Sequence, residues 1–141
     1  RETGAVAVVP HFLTLVAEAY GAGGQIDEGL AALADAERAL ETTGERHYEV
    51  EIHRLRGQLL LAGGAPPREA AASFHTALEV ARSRSATAWE LRAATSLARL
   101  WALGRKKAEA RRLVRSVYER FDEGLETADL TAAETLLREL A

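Results

Sequence analysis

The chain has 141 residues and a formal net charge of −3, with 29 Ala and 20 Leu against 8 Val and 2 Ile, and neither Cys nor Met. Unbranched side chains lose little rotamer freedom in a helix, so this composition disfavours an all-β or doubly wound fold, and the missing Cys excludes disulfides, thiolate metal sites and cysteine nucleophiles. No uncharged run approaches the roughly 18 apolar residues of a spanning helix, and the small total conceals blocks of −6 over residues 1–45, +2 over 46–98, +6 over 99–121 and −5 over 122–141.

Residues 1–12 include GAVAVVP, whose Val6, Val8 and Val9 lack a partner to cover them. The chain begins at Arg1 with no signal-peptide pattern. It reads as a soluble, cytoplasmic piece of a longer protein, without a membrane segment, and dimerisation through the apolar start is one expectation for such a piece.

The first helix is predicted over about 10–21, with Pro10 in the first turn, where its missing N–H is not needed, and Leu13, Val16 and Tyr20 on one face. The second, about 26–43, repeats Leu30, Leu33, Ala36 and Leu40 and stops at a Gly44 cap. The third, about 46–62, places Tyr48, Ile52, Leu55 and Leu59 on one stripe and Glu51, Arg54 and Gln58 on another. After Pro66-Pro67 a fourth runs to about Arg84 with Ala70, Phe74, Ala77 and Ala81 inward. The fifth, about 86–103, turns Trp89, Ala93, Leu97 and Leu100 inward; the sixth, about 105–121, uses Ala110, Leu113, Val117 and Phe121. A seventh helix opens with Thr127 as N-cap and Asp129 in the first turn, and buries Leu130, Ala133, Leu137 and Leu140. No segment alternates with a period of two, so no strand is predicted.

Gly24, Gly64 and Gly104 stand forty residues apart, each between two helical stretches. Small residues open the second stretch of each pair, and another buried-type position follows seven residues on: Gly29 and Ala36, Ala70 and Ala77, Ala110 and Val117. Seven residues are about two turns, so each pair shares the face where antiparallel helices approach closely. The predicted fold is all-α: three antiparallel helix pairs, about 10–44, 46–84 and 86–122, and a C-terminal capping helix, about 127–140, in one repeat domain spanning 1–141. Such hairpins bury their apolar faces by stacking.

These residues resemble tetratricopeptide-like (TPR-like) repeats, although the period exceeds the usual value of about 34. The stretch ELRAATSLARLW (Glu90 to Trp101), EAR (Glu109 to Arg111), VYERFDEG (Val117 to Gly124), TADL (Thr127 to Leu130) and HRLRGQLLLAGG (His53 to Gly64) carry a closer likeness. Together they resemble the C-terminal helical-repeat region of large bacterial signalling proteins. In those, a class III nucleotide cyclase or a winged-helix DNA-binding domain precedes an AAA/STAND ATPase module. The likeness runs from about Leu13 to the end; the chain departs from it at Phe121-Asp122-Glu123-Gly124, where an aromatic-Thr-Glu-Gly run is usual, and at Ala128, where Pro often follows the Thr. The resemblance implies a right-handed TPR-like solenoid acting as a regulatory or partner-binding segment, not the cyclase or ATPase itself. Its partner would be the protein's own ATPase or effector domain, or another protein.

Chemistry has little foothold. His47 and His53 are six apart, His11 and His75 lie in other hairpins, and no ligand spacing completes a metal site. The YGAGG and LLAGG runs follow helices and lack a phosphate-loop pattern, and Ser73, Ser83, Ser85 and Ser96 stand in no nucleophile motif. We therefore expect no catalytic residue, metal or cofactor.

The candidate site is a groove lined by first helices of successive hairpins: Glu51, Arg54, Gln58, Glu90, Ala94, Ala98 and Trp101, with Trp101 as aromatic anchor. The competing reading makes Glu90 and Arg54 an inter-repeat salt bridge and Trp101 a core or subunit-contact residue. Two other functions stay open. The basic residues of 99–121 could meet nucleic-acid phosphates, against the acidic total, or a small-ligand sensor pocket could lie between hairpins.

Overall fold

The computed structural model describes residues 9–43, 46–121 and 127–141. Among them are seven α-helices and no sheet: α1 Val9–Ala22, α2 Ile26–Thr43, α3 Glu49–Ala62, α4 Pro67–Ser83, α5 Thr87–Leu103, α6 Lys107–Tyr118 and α7 Ala128–Leu140. A 3₁₀ turn, Arg46–Tyr48, leads into α3, so the helix predicted from residue 46 starts three residues later. Side chains at i and i+3 eclipse in a 3₁₀ turn, and Arg46 Nη2 uses this to reach Glu49 Oε1 at 3.2 Å. Val6, Val8, the Gly44 cap and the Asp122–Gly124 stretch lie outside the described residues.

The chain divides into two compact units, residues 1–77 and 78–141, the division falling inside α4. In the first, α1 packs on α2, α2 on α3 and α1 on α3; in the second, α5, α6 and α7 all pack on one another. The first core gathers Ala17, Ala32, Leu33, Ala36, Leu40, Ile52, Leu55 and Leu59. Leu91, Leu97, Val114, Val117, Leu130, Ala133 and Leu136 are buried in the second. Each fully buried Leu or Val contributes about 1.5–3 kcal/mol relative to exposure. The small positions serve close approach: a Cβ added at Gly29 would stand 3.3 Å from the carbonyl oxygen of Ala17, while Ala36, Ala70, Ala77 and Ala110 have no exposure.

The helix ends refine the forty-residue pattern. α1 closes with Gln25 N–H donating to Tyr20 O (2.8 Å) and Gly24 N–H to Gly21 O (3.1 Å), and α3 with Ala65 N–H to Leu60 O and Gly64 N–H to Leu61 O. Both glycines are left-handed, φ +79° and +84°, which completes a Schellman motif. α4 ends in the same pair of bonds, Ala86 N–H to Ala81 O and Ser85 N–H to Arg82 O, but there Ser85 takes the left-handed position at φ 53°. Gly104 differs, with φ −103°; the three aligned glycines are not three equivalent caps. A left-handed conformation costs a residue with a Cβ about 1–2 kcal/mol, partly offset by glycine's extra chain entropy. Ser85→Gly is accordingly expected to stabilise by about 0.5–1 kcal/mol and to raise Tm by about 2 °C; an unchanged or lower Tm in a thermal scan contradicts this.

α7 starts as predicted. Thr127 is extended (φ −69°, ψ 155°) and its hydroxyl accepts from Leu130 N–H, at 3.3 Å.

Candidate functional site

α1 and α3 pack side by side in the first unit, and an open cleft of about 510 Å³ runs between them. Its floor is apolar, with Ala17, Leu55 and Leu59 buried, and Glu18, Ala19, Ala22, Gln58 and Ala62 line its exposed part. The local sequence explains the opening. Over Ala17–Ala22 the chain reads AEAYGA, and small side chains facing α3 leave space that larger ones would fill. Gly21 does the opposite and lets the two helices close, since a Cβ there would stand 2.5 Å from Leu59 Cδ2.

One turn earlier on α3, Arg54 Nε donates to both Glu51 oxygens at 2.9 Å, and the two side chains are only 11 % and 10 % exposed. A guanidinium fork on a carboxylate within one helix is the strong form of an i,i+3 pair. Arg56 on the same helix reaches Glu37 of α2 at 3.0 Å, and its Nη1 lies 3.1 Å from His53 Nδ1. Arginine can only donate, so this ring nitrogen accepts. Burial, and next the Arg56 charge, hold His53 below the ordinary histidine pKa, which keeps the ring neutral.

In the second unit the first turn of α5 collects charge. Glu90, 4 % exposed, accepts from Arg82 Nε at 2.9 Å and from Arg120. Two residues on, Arg92 donates to both Asp129 oxygens, Nε to Oδ1 at 3.1 Å and Nη2 to Oδ2 at 3.0 Å, and lies over the Trp89 ring, 5.2 Å from its centroid. A single turn thereby ties α5 to the end of α4, to the residues after α6 and to the start of α7. Trp89, predicted inward, is half-buried, because its face carries a guanidinium.

The predicted site residues are distributed as follows. Glu51, Arg54 and Gln58 belong to the first unit; Glu51 and Arg54 are paired, and Gln58 lines the cleft. Glu90, Ala94, Ala98 and Trp101 belong to the second. Glu90 is held by arginines of its own unit, and Ala94 and Ala98 have no exposure, so they offer no atoms to a partner. Trp101 is half-buried, with Lys106 Nζ 5.4 Å from its ring centroid. Sequence reasoning did not include the α1 side of the cleft, although the small-residue run before Gly23 signalled it. The partners of Glu90, eight and thirty residues away, left no local signal. Among the described residues, no group of three His, Asp or Glu is placed to hold a metal ion, and no helix is long and apolar enough to cross a membrane.

No protein-family model matches the chain, and no solved structure does. Over 100 residues, 71 % of its length, the chain is 35 % identical to an uncharacterized protein of the bacterium Rhizobium meliloti. The matched stretch is 10 % of that protein, so the chain resembles one segment of a much longer polypeptide.

Proposed function

We infer that this chain is a non-catalytic, TPR-like helical-repeat scaffold that docks a polypeptide, either a neighbouring domain of its own protein or a separate partner. The observation that carries this reading is the α1/α3 cleft: side-by-side helices, an apolar floor at Ala17, Leu55 and Leu59, and polar groups at Glu18 and Gln58. Apolar surface provides affinity, and a few placed polar groups fix register. Its likeness to a small share of a long bacterial protein suits a regulatory segment, and the sequence resemblance suggests a signalling or transcription-regulatory protein with a nucleotide-using domain. Contact in the cleft would bias that domain between states through differential affinity.

A photoreactive aromatic residue introduced at the exposed Gln58 and irradiated in cells is expected to give one discrete crosslinked species. Ala19→Trp with Ala22→Trp, at two exposed positions, should fill the cleft and abolish that species while leaving the melting curve in place. Diffuse crosslinking, or a discrete product that persists in the filled variant, would count against docking in the cleft.

A further inference from the structure

A second surface, away from the cleft, lies in the second unit. Lys107, Ala108, Arg111, Arg112 and Arg115 of α6 and Leu140 of α7 line a groove of about 460 Å³. Four cations on three turns of one helix repel one another, and like charges at i,i+4, as in Lys107, Arg111 and Arg115, destabilise the helix that bears them. In the same unit Arg82 and Arg120 are held by Glu90, and Arg92 by Asp129. Here Arg115 has a long contact with Glu119 at 3.9 Å, while Lys107, Arg111 and Arg112 have no ion pair among the described residues. Arg111 Nε is buried and has no hydrogen-bond acceptor. A buried donor without a partner is costly and uncommon, and this one belongs to a side chain that lines the groove.

We propose that the groove binds an acidic polypeptide segment in which carboxylates flank an apolar residue. The carboxylates supply the acceptors that Arg111, Arg112 and Lys107 lack, in the bidentate geometry suited to guanidinium, and the apolar residue sits on Ala108 and Leu140. The surroundings favour a short peptide over a nucleic-acid strand. Glu109 lies on α6 and Glu134 and Glu139 on α7, so a strand with a charge on every nucleotide would run from the groove onto like charge.

The test uses the whole 141-residue chain and a fluorescein-labelled Glu-Glu-Leu-Glu-Glu peptide, with the all-Gln version and a single-stranded oligonucleotide of equal charge as controls. Fluorescence anisotropy at low salt is expected to show binding of the acidic peptide alone, weakening as salt is added. Arg112→Glu, at an exposed and unpaired position, should weaken binding about 10-fold or more. Should Arg112→Glu lose helicity, Arg112→Gln must still weaken binding at an unchanged melting temperature. The proposal is overturned by no binding at millimolar peptide, by equal binding to either Arg112 variant, or by an oligonucleotide that binds more tightly than the peptide.

Discussion

Replacing Phe74 with alanine is expected to destabilise the first unit by about 3–5 kcal/mol, and to reverse the effect of a second substitution seventeen residues away. Phe74 is 1 % exposed and among the largest fully buried side chains. Its ring lies against Gly57 of α3. A Cβ at Gly57 would stand 2.5, 2.8 and 2.9 Å from three ring carbons, and a ring buried on all sides cannot swing away as the tip of an exposed side chain can. Gly57→Ala alone therefore sets about 1 kcal/mol of improved helix propensity against about 1–3 kcal/mol of overpacking, and the net effect is destabilising. In the Phe74→Ala background the obstruction is gone, the propensity term stands alone, and the same change becomes stabilising. Urea denaturation of the two single variants and the double variant gives the coupling directly. A Gly57→Ala variant more stable than the parent chain would mean that the ring does not lock α3. The pair matters for function because the residues after Gly57, Gln58 and Leu59, form one side of the cleft: pushing α3 off Phe74 should also weaken any crosslink made there.

Glu90→Ala is expected to cost the second unit about 1.5–3 kcal/mol, the range for hydrogen bonds to charged groups. Breaking a fully buried ion pair costs more, about 3–5 kcal/mol. The lower value applies because the arginines holding Glu90 are themselves 50 % and 52 % exposed and regain water when the carboxylate goes. Glu90→Gln keeps the shape and an acceptor but loses the charge, so it should fall between the parent and alanine. Denaturant titration of Glu90→Ala, Arg82→Ala and the double variant checks this: removing Arg82 should cost less once Glu90 is gone. A neutral Glu90→Ala would mean that the cluster does not hold the end of α4, α5 and the residues after α6 together.

Helical periodicity is a local property, and where it alone decides, the sequence reading holds. Ile52, Leu55 and Leu59 on α3, Ala70, Phe74, Ala77 and Ala81 on α4, and Ala93, Leu97 and Leu100 on α5 are all buried, because a 3.6-residue repeat projects them onto one face of any helix that forms. Thr127 caps α7, since the capping bond reaches only three residues along the chain. The reading loses resolution where two neighbours on a helix compete for the core. Leu136 is buried at 5 % and Leu137 half-buried; they lie 100° apart on α7, and the helices α7 packs on choose between them. The aligned glycines show a similar limit: identical letters at Gly24, Gly64 and Gly104 mark helix ends, whereas the left-handed caps fall at Gly24, Gly64 and Ser85.

The site is less legible than the fold for the same reason. Glu51 with Arg54 is a pair within one helix, and sequence spacing identifies it. The cleft requires α1 and α3, more than thirty residues apart, to lie side by side, and Glu90 finds its cations eight and thirty residues away. What the sequence determined by itself is therefore the class of protein: all-helical, paired into hairpins, basic on α6, with small residues where helices must approach. These follow from propensity, period and charge count, which need only neighbouring residues. The tertiary structure decided which small residues leave open space and which close a contact, which arginines are neutralised and which are left unpaired, and whether a tryptophan faces the core or a guanidinium. Each of those depends on distances between segments far apart in the chain, set by packing, which no local pattern records.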